Sequence, residues 1–200
     1  MKKEIDPSSK GLRIALSGSA GTGKTTLGRA LSEQLQLPFL EEGMRARIEA
    51  GLQPNELDSD AQESLFEELW AEQATAQVRA AQQHGGYVAD RSALDFAAAW
   101  LQYTTLDRPE RTDAWVRARL ADSAEHTHIL QLPFGVLPLV GDGVRHADPW
   151  FQFRFQALVE ALASRATDSP NLVQVPAKLG SLAERLTFAR AQLLPPAHAR

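Results

Sequence analysis

One stretch of eight residues constrains the fold more than any other part of the chain. Residues 18–25 read GSAGTGKT, which is a complete G-x-x-x-x-G-K-[ST] phosphate-loop motif. A short apolar run at 12–17 precedes the motif, and apolar residues at helical spacing follow it over 27–35. Strand, glycine-rich loop and helix in this order form the usual context of a phosphate site. We therefore expect an α/β protein with this loop at the carboxyl end of its first strand.

Each residue type in the motif has a chemical task. Glycines allow the backbone to curl until consecutive N–H groups point at a phosphate, and the helix that follows adds its positive end. Lys24 can reach β- and γ-phosphates as a catalytic cation, and the Thr25 hydroxyl can bind Mg²⁺. The predicted cofactor-binding residues of this region are Gly18, Ser19, Ala20, Gly21, Thr22, Gly23, Lys24, Thr25 and Thr26.

Strand and helix patterns alternate along the rest of the chain. Strands are predicted at 39–40, 87–89, 127–132 and 171–175, in addition to 12–17. Helices are predicted at 60–83, 92–103, from 107, after 149 and at 181–193, with a capping box at 60–63 opening the first of these. This alternation indicates right-handed βαβ units around a parallel sheet. A length of 200 residues predicts one domain at 11–200 after a flexible lead-in at 1–10.

Composition excludes several classes of protein. The chain has no cysteine, so disulfides, iron–sulfur clusters and thiolate metal sites are excluded, and a reducing, cytoplasmic setting is expected. No apolar stretch follows the first lysines, so a signal peptide is not expected. The apolar runs along the chain are far too short for a membrane helix. A net charge of −4 argues against binding to nucleic acid.

An acid and an arginine follow the third predicted strand. Asp90-Arg91-Ser92 lies where open parallel sheets bind ligands, at the carboxyl ends of their strands. We predict that Asp90 is catalytic and helps to bind the metal, and that Arg91 binds substrate. The alternative is a helix capped by Ser92 with an exposed acid beside it. The chain lacks the N-K-x-D of GTPases, and arginine replaces the second acid that is usual in mechanical ATPases.

A second group of charged residues follows the short second strand. Phosphoryl transfer needs a carboxylate that orients or deprotonates the accepting hydroxyl, together with charges that position the phosphates. Glu42 is the predicted base, and Glu41, Glu42 and Arg45 are the predicted acceptor-binding residues. The alternative is a solvated helix start with acids in its first turn.

Glycine and proline punctuate the segment 133–155, which we predict to form a lid. Arg145 would clamp the transferring phosphoryl group as a catalytic residue, and Arg154 would bind the phosphates. The alternative for both is an ordinary surface arginine packed on neighbouring aromatic side chains. His126 and His128 lack a third ligand nearby and are predicted to be structural.

The order of these motifs resembles a known family. The phosphate loop, E-G-M-R at 42–45, D-R-S at 90–92 and D-G-V-R at 142–145 are together similar to the AAA-labelled P-loop kinases that include ribosylnicotinamide (nicotinamide riboside) kinase domains. The resemblance spans about residues 11–193. It implies a P-loop NTPase three-layer α/β/α sandwich with a five-stranded parallel sheet of order 2-3-1-4-5 and a helical lid.

The same resemblance implies the chemistry. ATP and Mg²⁺ would be the donor and cofactor, a nucleoside or riboside hydroxyl would accept the phosphoryl group, and Lys178 would lie beside the adenine. Three alternatives stay open: a partner-coupled ATPase, an ATP-sensing module and a kinase of nucleic-acid ends, the last disfavoured by the acidic balance. The chain is expected to be a monomer or a homodimer.

Overall fold

The computed structural model describes residues 11–138, 148–166 and 172–194. Its strands are β1 (Arg13–Ser17), β2 (Phe39–Leu40), β3 (Tyr87–Asp90), β4 (His128–Gln131) and β5 (Leu172–Gln174). They form one parallel sheet of order β2-β3-β1-β4-β5. The predicted sheet order is confirmed, and β1 lies at its centre, so the loop that follows β1 emerges in the middle of the carboxyl edge.

Seven α-helices surround the sheet in the described residues. They are α1 (Lys24–Leu35), α2 (Met44–Glu49), α3 (Ser59–His84), α4 (Ala93–Tyr103), α5 (Pro109–Asp122), α6 (Pro149–Ala163) and α7 (Leu182–Leu193). In β1, Ile14 and Leu16 belong to the apolar cluster with α1 and α7, whereas Ala15 belongs to the cluster with α4 and α6. Since successive side chains of a strand point to opposite faces, the sheet is buried on both sides. The predicted three-layer α/β/α sandwich is confirmed.

The close approach of α1 to the sheet depends on a glycine. A Cβ atom on Gly28 would lie 2.4 Å from Cε2 of Phe39 and 2.5 Å from Cδ1 of Leu16. Both distances are far below van der Waals contact, so a larger residue here would displace the side chains of Phe39 on β2 and Leu16 on β1. This contact fixes the axis of α1 and, with it, the position of the loop at its N-terminus.

The predicted start of α3 needs a correction. The sequence pattern assigned the helix cap to Asp60, but the cap is Asp58, whose Oδ1 accepts the N–H of Ala61 at 2.9 Å. Glu63, the expected partner in the capping box, is buried and forms ion pairs with Arg108 and Arg111. The two arginines therefore divert this carboxylate from the helix terminus, and the cap falls two residues earlier.

His126 is buried in a structural position, as expected from the sequence. Its Nδ1 lies 3.1 Å from the Tyr87 hydroxyl, and burial, with the nearby Arg13 cation, lowers the His126 pKa to about 4. The imidazole is therefore neutral in the folded protein at pH 6, whereas in the unfolded chain, with a pKa near 6.5, it takes up a proton below that pH.

We predict that the folded protein loses stability as the pH falls from 6.5 towards 4. Over that window the unfolded chain binds one more proton at His126 than the folded chain, which amounts to about 3 kcal/mol when fully developed. Urea unfolding of the wild type and of His126→Gln at several pH values measures the effect. The slope of the unfolding free energy with pH should be shallower in the variant; equal slopes would show that His126 does not contribute.

Some predicted features lie outside the described residues. These are the lead-in at 1–10, Arg145 and the middle of the predicted lid. Within the described ranges, every helix is too short or too polar to cross a membrane.

Candidate functional site

The phosphate loop connects β1 to α1. Gly18, Gly21 and Gly23 have positive φ angles of 131°, 79° and 90°, a region that favours glycine. Lys24 is only 7% exposed, and its Nζ donates hydrogen bonds to the carbonyl oxygens of Gly18 and Ser19, both at 2.7 Å. Its side chain therefore folds back across the loop, and its ammonium group lies against the loop carbonyls.

The surroundings of Lys24 shift its pKa in opposite directions. Burial, and after it the Arg91 cation, lower the Lys24 pKa to about 8, while the carboxylates of Asp90, Asp95 and Glu42 act in the opposite direction. The lysine is thus a desolvated cation in a field of nearby carboxylates. Such a group interacts strongly with an added polyanion because little water screens it.

The hydroxyl of Thr25 and the carboxylate of Asp90 are direct partners. Thr25 Oγ1 donates to Asp90 Oδ2 at 2.6 Å, which joins the start of α1 to the end of β3. Both groups offer the oxygen ligands that Mg²⁺ prefers, and this ion usually takes few protein ligands beside phosphate and water. The described residues contain no group of three or more acids or histidines that could hold a metal. The donor set therefore fits Mg²⁺ bound together with a phosphate ligand.

Arg91 connects two further carboxylates across the cleft. Its Nε lies 3.6 Å from Glu42 Oε2, its Nη1 lies 3.5 Å from Asp95 Oδ1, and its guanidinium stands 5.3 Å from the centre of the Phe155 ring. The backbone of Arg91 has a φ of 90°, which is costly for a residue with a side chain. This strained conformation is maintained directly beside the candidate acceptor residues.

The Glu42 carboxylate is largely enclosed by the surrounding protein. Its Oε1 accepts the N–H of Met44 at 3.0 Å, and its side chain is 13% exposed. Burial raises the pKa of Glu42 above the ordinary value of 4.5, although the Arg91 cation opposes this shift. A carboxylate with a raised pKa is a stronger base than an ordinary glutamate, which suits the predicted role.

A cavity of about 660 Å³ joins these groups. Lys24, Thr25 and Asp90 line it together with five aromatic side chains. The aromatic residues are Phe66, Phe96, Tyr103, Phe151 and Phe155. A concave site with apolar walls and a few convergent polar groups is typical of small-molecule binding.

The other residues predicted around the acceptor lie at the rim of this cavity. Thr26, Glu41 and Arg45 are exposed there. Glu41 forms an ion pair with Arg29 of α1, and Arg45 forms one with Glu49 at 2.9 Å. Of the two adjacent acids, Glu42 alone is enclosed, so it is the better candidate for a base.

Arg154 and Lys178, which the sequence predicts to contact the phosphates and the adenine, do not line this cavity. Arg154 is exposed on α6, and its Nε donates to Gln102 Oε1 at 2.7 Å. Lys178 lines a separate recess between the loop after β5 and α7. Arg185 connects that loop to the phosphate loop, since it donates to the Leu179 carbonyl at 2.8 Å and to the Thr22 carbonyl at 2.7 Å.

Four residues of the site were missed by the sequence analysis. They are Asp95, Gln152, Gln156 and Arg185. Asp95 forms a capping box with Ser92 at the start of α4, and its other carboxylate oxygen accepts the N–H of Gly18. The i, i+4 spacing of the two glutamines on the apolar face of a helix was a usable signal. Nothing in the local sequence marks Arg185.

Solved structures share this fold. The NadR protein in complex with NR superposes with a TM-score of 0.72 at 22% identity, covering 93% of this chain and 52% of that one. Thymidylate kinase from Ehrlichia chaffeensis gives a TM-score of 0.63 at 14% identity, covering 91% and 98%. Deoxyadenosine kinase from M. mycoides with bound dATP gives 0.59 at 14% identity, covering 91% and 99%. The chain thus spans about half the length of the NadR chain, and at these identities the likeness establishes the fold.

Sequence comparison gives the family. No protein of curated function matches the sequence significantly. A family model described as an AAA domain matches residues 13–185, which is most of the chain and includes the phosphate loop, the acids of the cleft and Arg185. The protein belongs to the AAA domain family, with a P-loop kinase-like fold.

Proposed function

We propose that this protein is an ATP-dependent phosphotransferase that moves the γ-phosphoryl group of ATP to a hydroxyl of a nucleoside or riboside. One observation carries the proposal. A phosphate loop with a buried lysine and an enclosed glutamate with a raised pKa line the same cavity. Such a cavity suits transfer between two bound molecules, because both a donor site and an acceptor base are present.

On the donor side, the second half of the phosphate loop, residues 21–26, holds the triphosphate, since the amides of Gly18, Ser19 and Ala20 donate to other side chains. Lys24 neutralises charge on the β- and γ-phosphates, and Thr25 and Asp90 would hold Mg²⁺ directly or through water. Mg²⁺, when bound, supplies a further positive charge against the phosphate oxygens. The 2.6 Å contact between Thr25 and Asp90 supports this pairing.

On the acceptor side, Glu42 orients the hydroxyl and takes its proton. The hydroxyl oxygen forms a bond to the γ-phosphorus, the bond from that phosphorus to the β-bridging oxygen breaks, and ADP leaves. Arg91 holds Glu42 in place and offers a positive charge close to the transferring group. Its contacts of 3.6 Å to Glu42 and 3.5 Å to Asp95 support both roles.

The walls of the cavity favour an acceptor with a flat ring. Five aromatic side chains and aliphatic groups such as Leu69 and Ala99 line it. Faces of aromatic side chains stack well on a base, with about 1–3 kcal/mol for each base in nucleic-acid complexes. A nucleoside combines such a ring with the hydroxyl that the base must reach. The name of one structural neighbour, deoxyadenosine kinase, is consistent with this class.

A screen of acceptors tests the proposal. ADP release from ATP and Mg²⁺ is measured with purine and pyrimidine nucleosides, nicotinamide riboside and phosphorylated sugars, and the products are identified by mass spectrometry. We expect release that depends on one nucleoside or riboside, with a product heavier by one phosphoryl group. Hydrolysis that ignores every acceptor and rises with a protein partner would instead indicate a coupled ATPase. ATP binding without turnover would indicate a sensor, and phosphorylation of oligonucleotide ends would indicate an end kinase.

A further inference from the structure

The first three backbone amides of the phosphate loop are all bound by side chains from outside the loop. The N–H of Gly18 donates to Asp95 Oδ1 at 3.0 Å, that of Ser19 to Gln156 Oε1 at 2.9 Å, and that of Ala20 to Gln152 Oε1 at 3.0 Å. The three acceptors come from two helices, α4 and α6, and all three residues are at most 4% exposed. The loop is therefore divided into a first half that other helices hold and a second half that leads into α1.

The two glutamines are suited to this contact by their spacing and chemistry. Gln152 and Gln156 lie four residues apart, so they occupy one face of α6 and meet consecutive amides of the loop. Gln156 also donates from Nε2 to Glu160 Oε1 at 2.8 Å and to the Leu132 carbonyl at 3.3 Å. Its amide group is thereby fixed between the end of β4 and the loop, with its oxygen directed at Ser19.

The fit around this contact is tight. A Cβ atom on Gly18 would lie 2.9 Å from the Leu132 carbonyl oxygen and 3.2 Å from Gln156 Oε1, so a larger residue could not stand there while Gln156 holds its place. Gln152 in addition lines the cavity between the phosphate loop and the acceptor side. The held half of the loop is thus next to the region where donor and acceptor would meet.

We propose that Gln152 and Gln156 are positioning residues, which hold the first half of the phosphate loop so that the transferring phosphoryl group is aligned with the acceptor. The inference rests on the proposed function for its catalytic consequence. The second half of the loop, with Lys24 and Thr25, retains the nucleotide, and the first half sets the direction of its terminal phosphate. At Ser19 and Ala20 a neutral amide oxygen accepts the N–H without adding to the negative charge that Asp95 already brings to the start of the loop.

The anchoring itself is tested by amide hydrogen exchange, which needs no enzymatic activity. Exchange at Ser19 and Ala20 is measured by NMR in the wild type, Gln152→Leu, Gln156→Leu and the control Gln82→Leu, which is exposed at the end of α3. Gln152→Leu should speed exchange at Ala20 at least tenfold, and Gln156→Leu should do the same at Ser19. Wild-type exchange at these amides in both variants would overturn the proposal.

The catalytic consequence is tested by steady-state kinetics with the acceptor found in the screen. Because a misplacement of about 1 Å can cost about a hundredfold in rate, Gln152→Leu should lower kcat about 10–100-fold while the KM for ATP stays within about threefold. Gln152→Glu keeps the accepting oxygen and adds a charge. It should recover most of the kcat and raise the KM for ATP several-fold.

The different effects of the two Gln152 variants on kcat and on the KM for ATP separate a positioning role from a contribution to folding. A purely structural role would lower the thermal midpoint and kcat of both Gln152 variants alike, without the split between kcat and KM, and that result would overturn the proposal. Wild-type kcat in Gln152→Leu would overturn it as well. If the wild type transfers phosphate to no acceptor, the proposed function fails, and the exchange experiment alone decides whether the glutamines hold the loop.

Discussion

Lys24→Met should reduce the rate of phosphoryl transfer about 10³-fold without unfolding the protein. The lysine ammonium is buried beside the loop carbonyls, with a pKa lowered to about 8, so its charge acts on a bound triphosphate with little screening. Removing one preorganised charge or donor of this kind typically costs 10²–10³ in rate, and loss of a full charge falls at the upper end. Acceptor-dependent ADP release measures the loss, and circular dichroism measures the thermal midpoint.

The fold should tolerate Lys24→Met because methionine has a similar length and no longer buries a cation. Arg79→Met is the matched control, since Arg79 is an exposed cation on α3, away from the cavity. The control should retain wild-type turnover. A Lys24→Met protein that still transfers phosphate at a rate within tenfold of the wild type would remove the phosphate loop from the mechanism.

Glu42→Gln should lower kcat about 10²–10⁴-fold and leave the affinity for ATP nearly unchanged. The substitution keeps the shape and an oxygen that can accept the N–H of Met44, but the amide cannot take a proton from the acceptor. In the wild type the base is active when deprotonated, so kcat/KM for the acceptor should fall as the pH falls through the raised pKa of Glu42. The variant should lose this acidic limb of the profile.

Glu68→Gln serves as the control for the Glu42 experiment because Glu68 is exposed on α3 and does not line the cavity. Isothermal titration measures the affinity for ATP, and rate profiles over pH 5–8 show whether the acidic limb is present. Wild-type turnover in Glu42→Gln, or a variant that retains the acidic limb, would show that another group removes the proton.

Local patterns were sufficient for the sheet and for the core of the nucleotide site. An apolar run predicts the strand before residues 18–25, and apolar residues at helical spacing predict the helix after them. These signals and the glycines between them lie within a few residues of one another. Asp90 follows its strand directly, so its place at the carboxyl edge also follows from sequence once the sheet is parallel. The start of α3 was placed two residues late because arginines from another segment compete for Glu63.

The sequence by itself determined the parallel α/β fold, the phosphate loop and the acids that end two of its strands. Only the tertiary structure decided which side chains hold that loop, since Asp95, Gln152 and Arg185 are separated from their loop partners by 77, 132 and 163 residues. It also decided which of Glu41 and Glu42 is enclosed, because enclosure depends on Arg91 and on aromatic walls from α3, α4 and α6. The local sequence does not reveal which partners such distant hydrogen bonds will join. Burial, which raises the pKa of Glu42, arises only when the layers pack together.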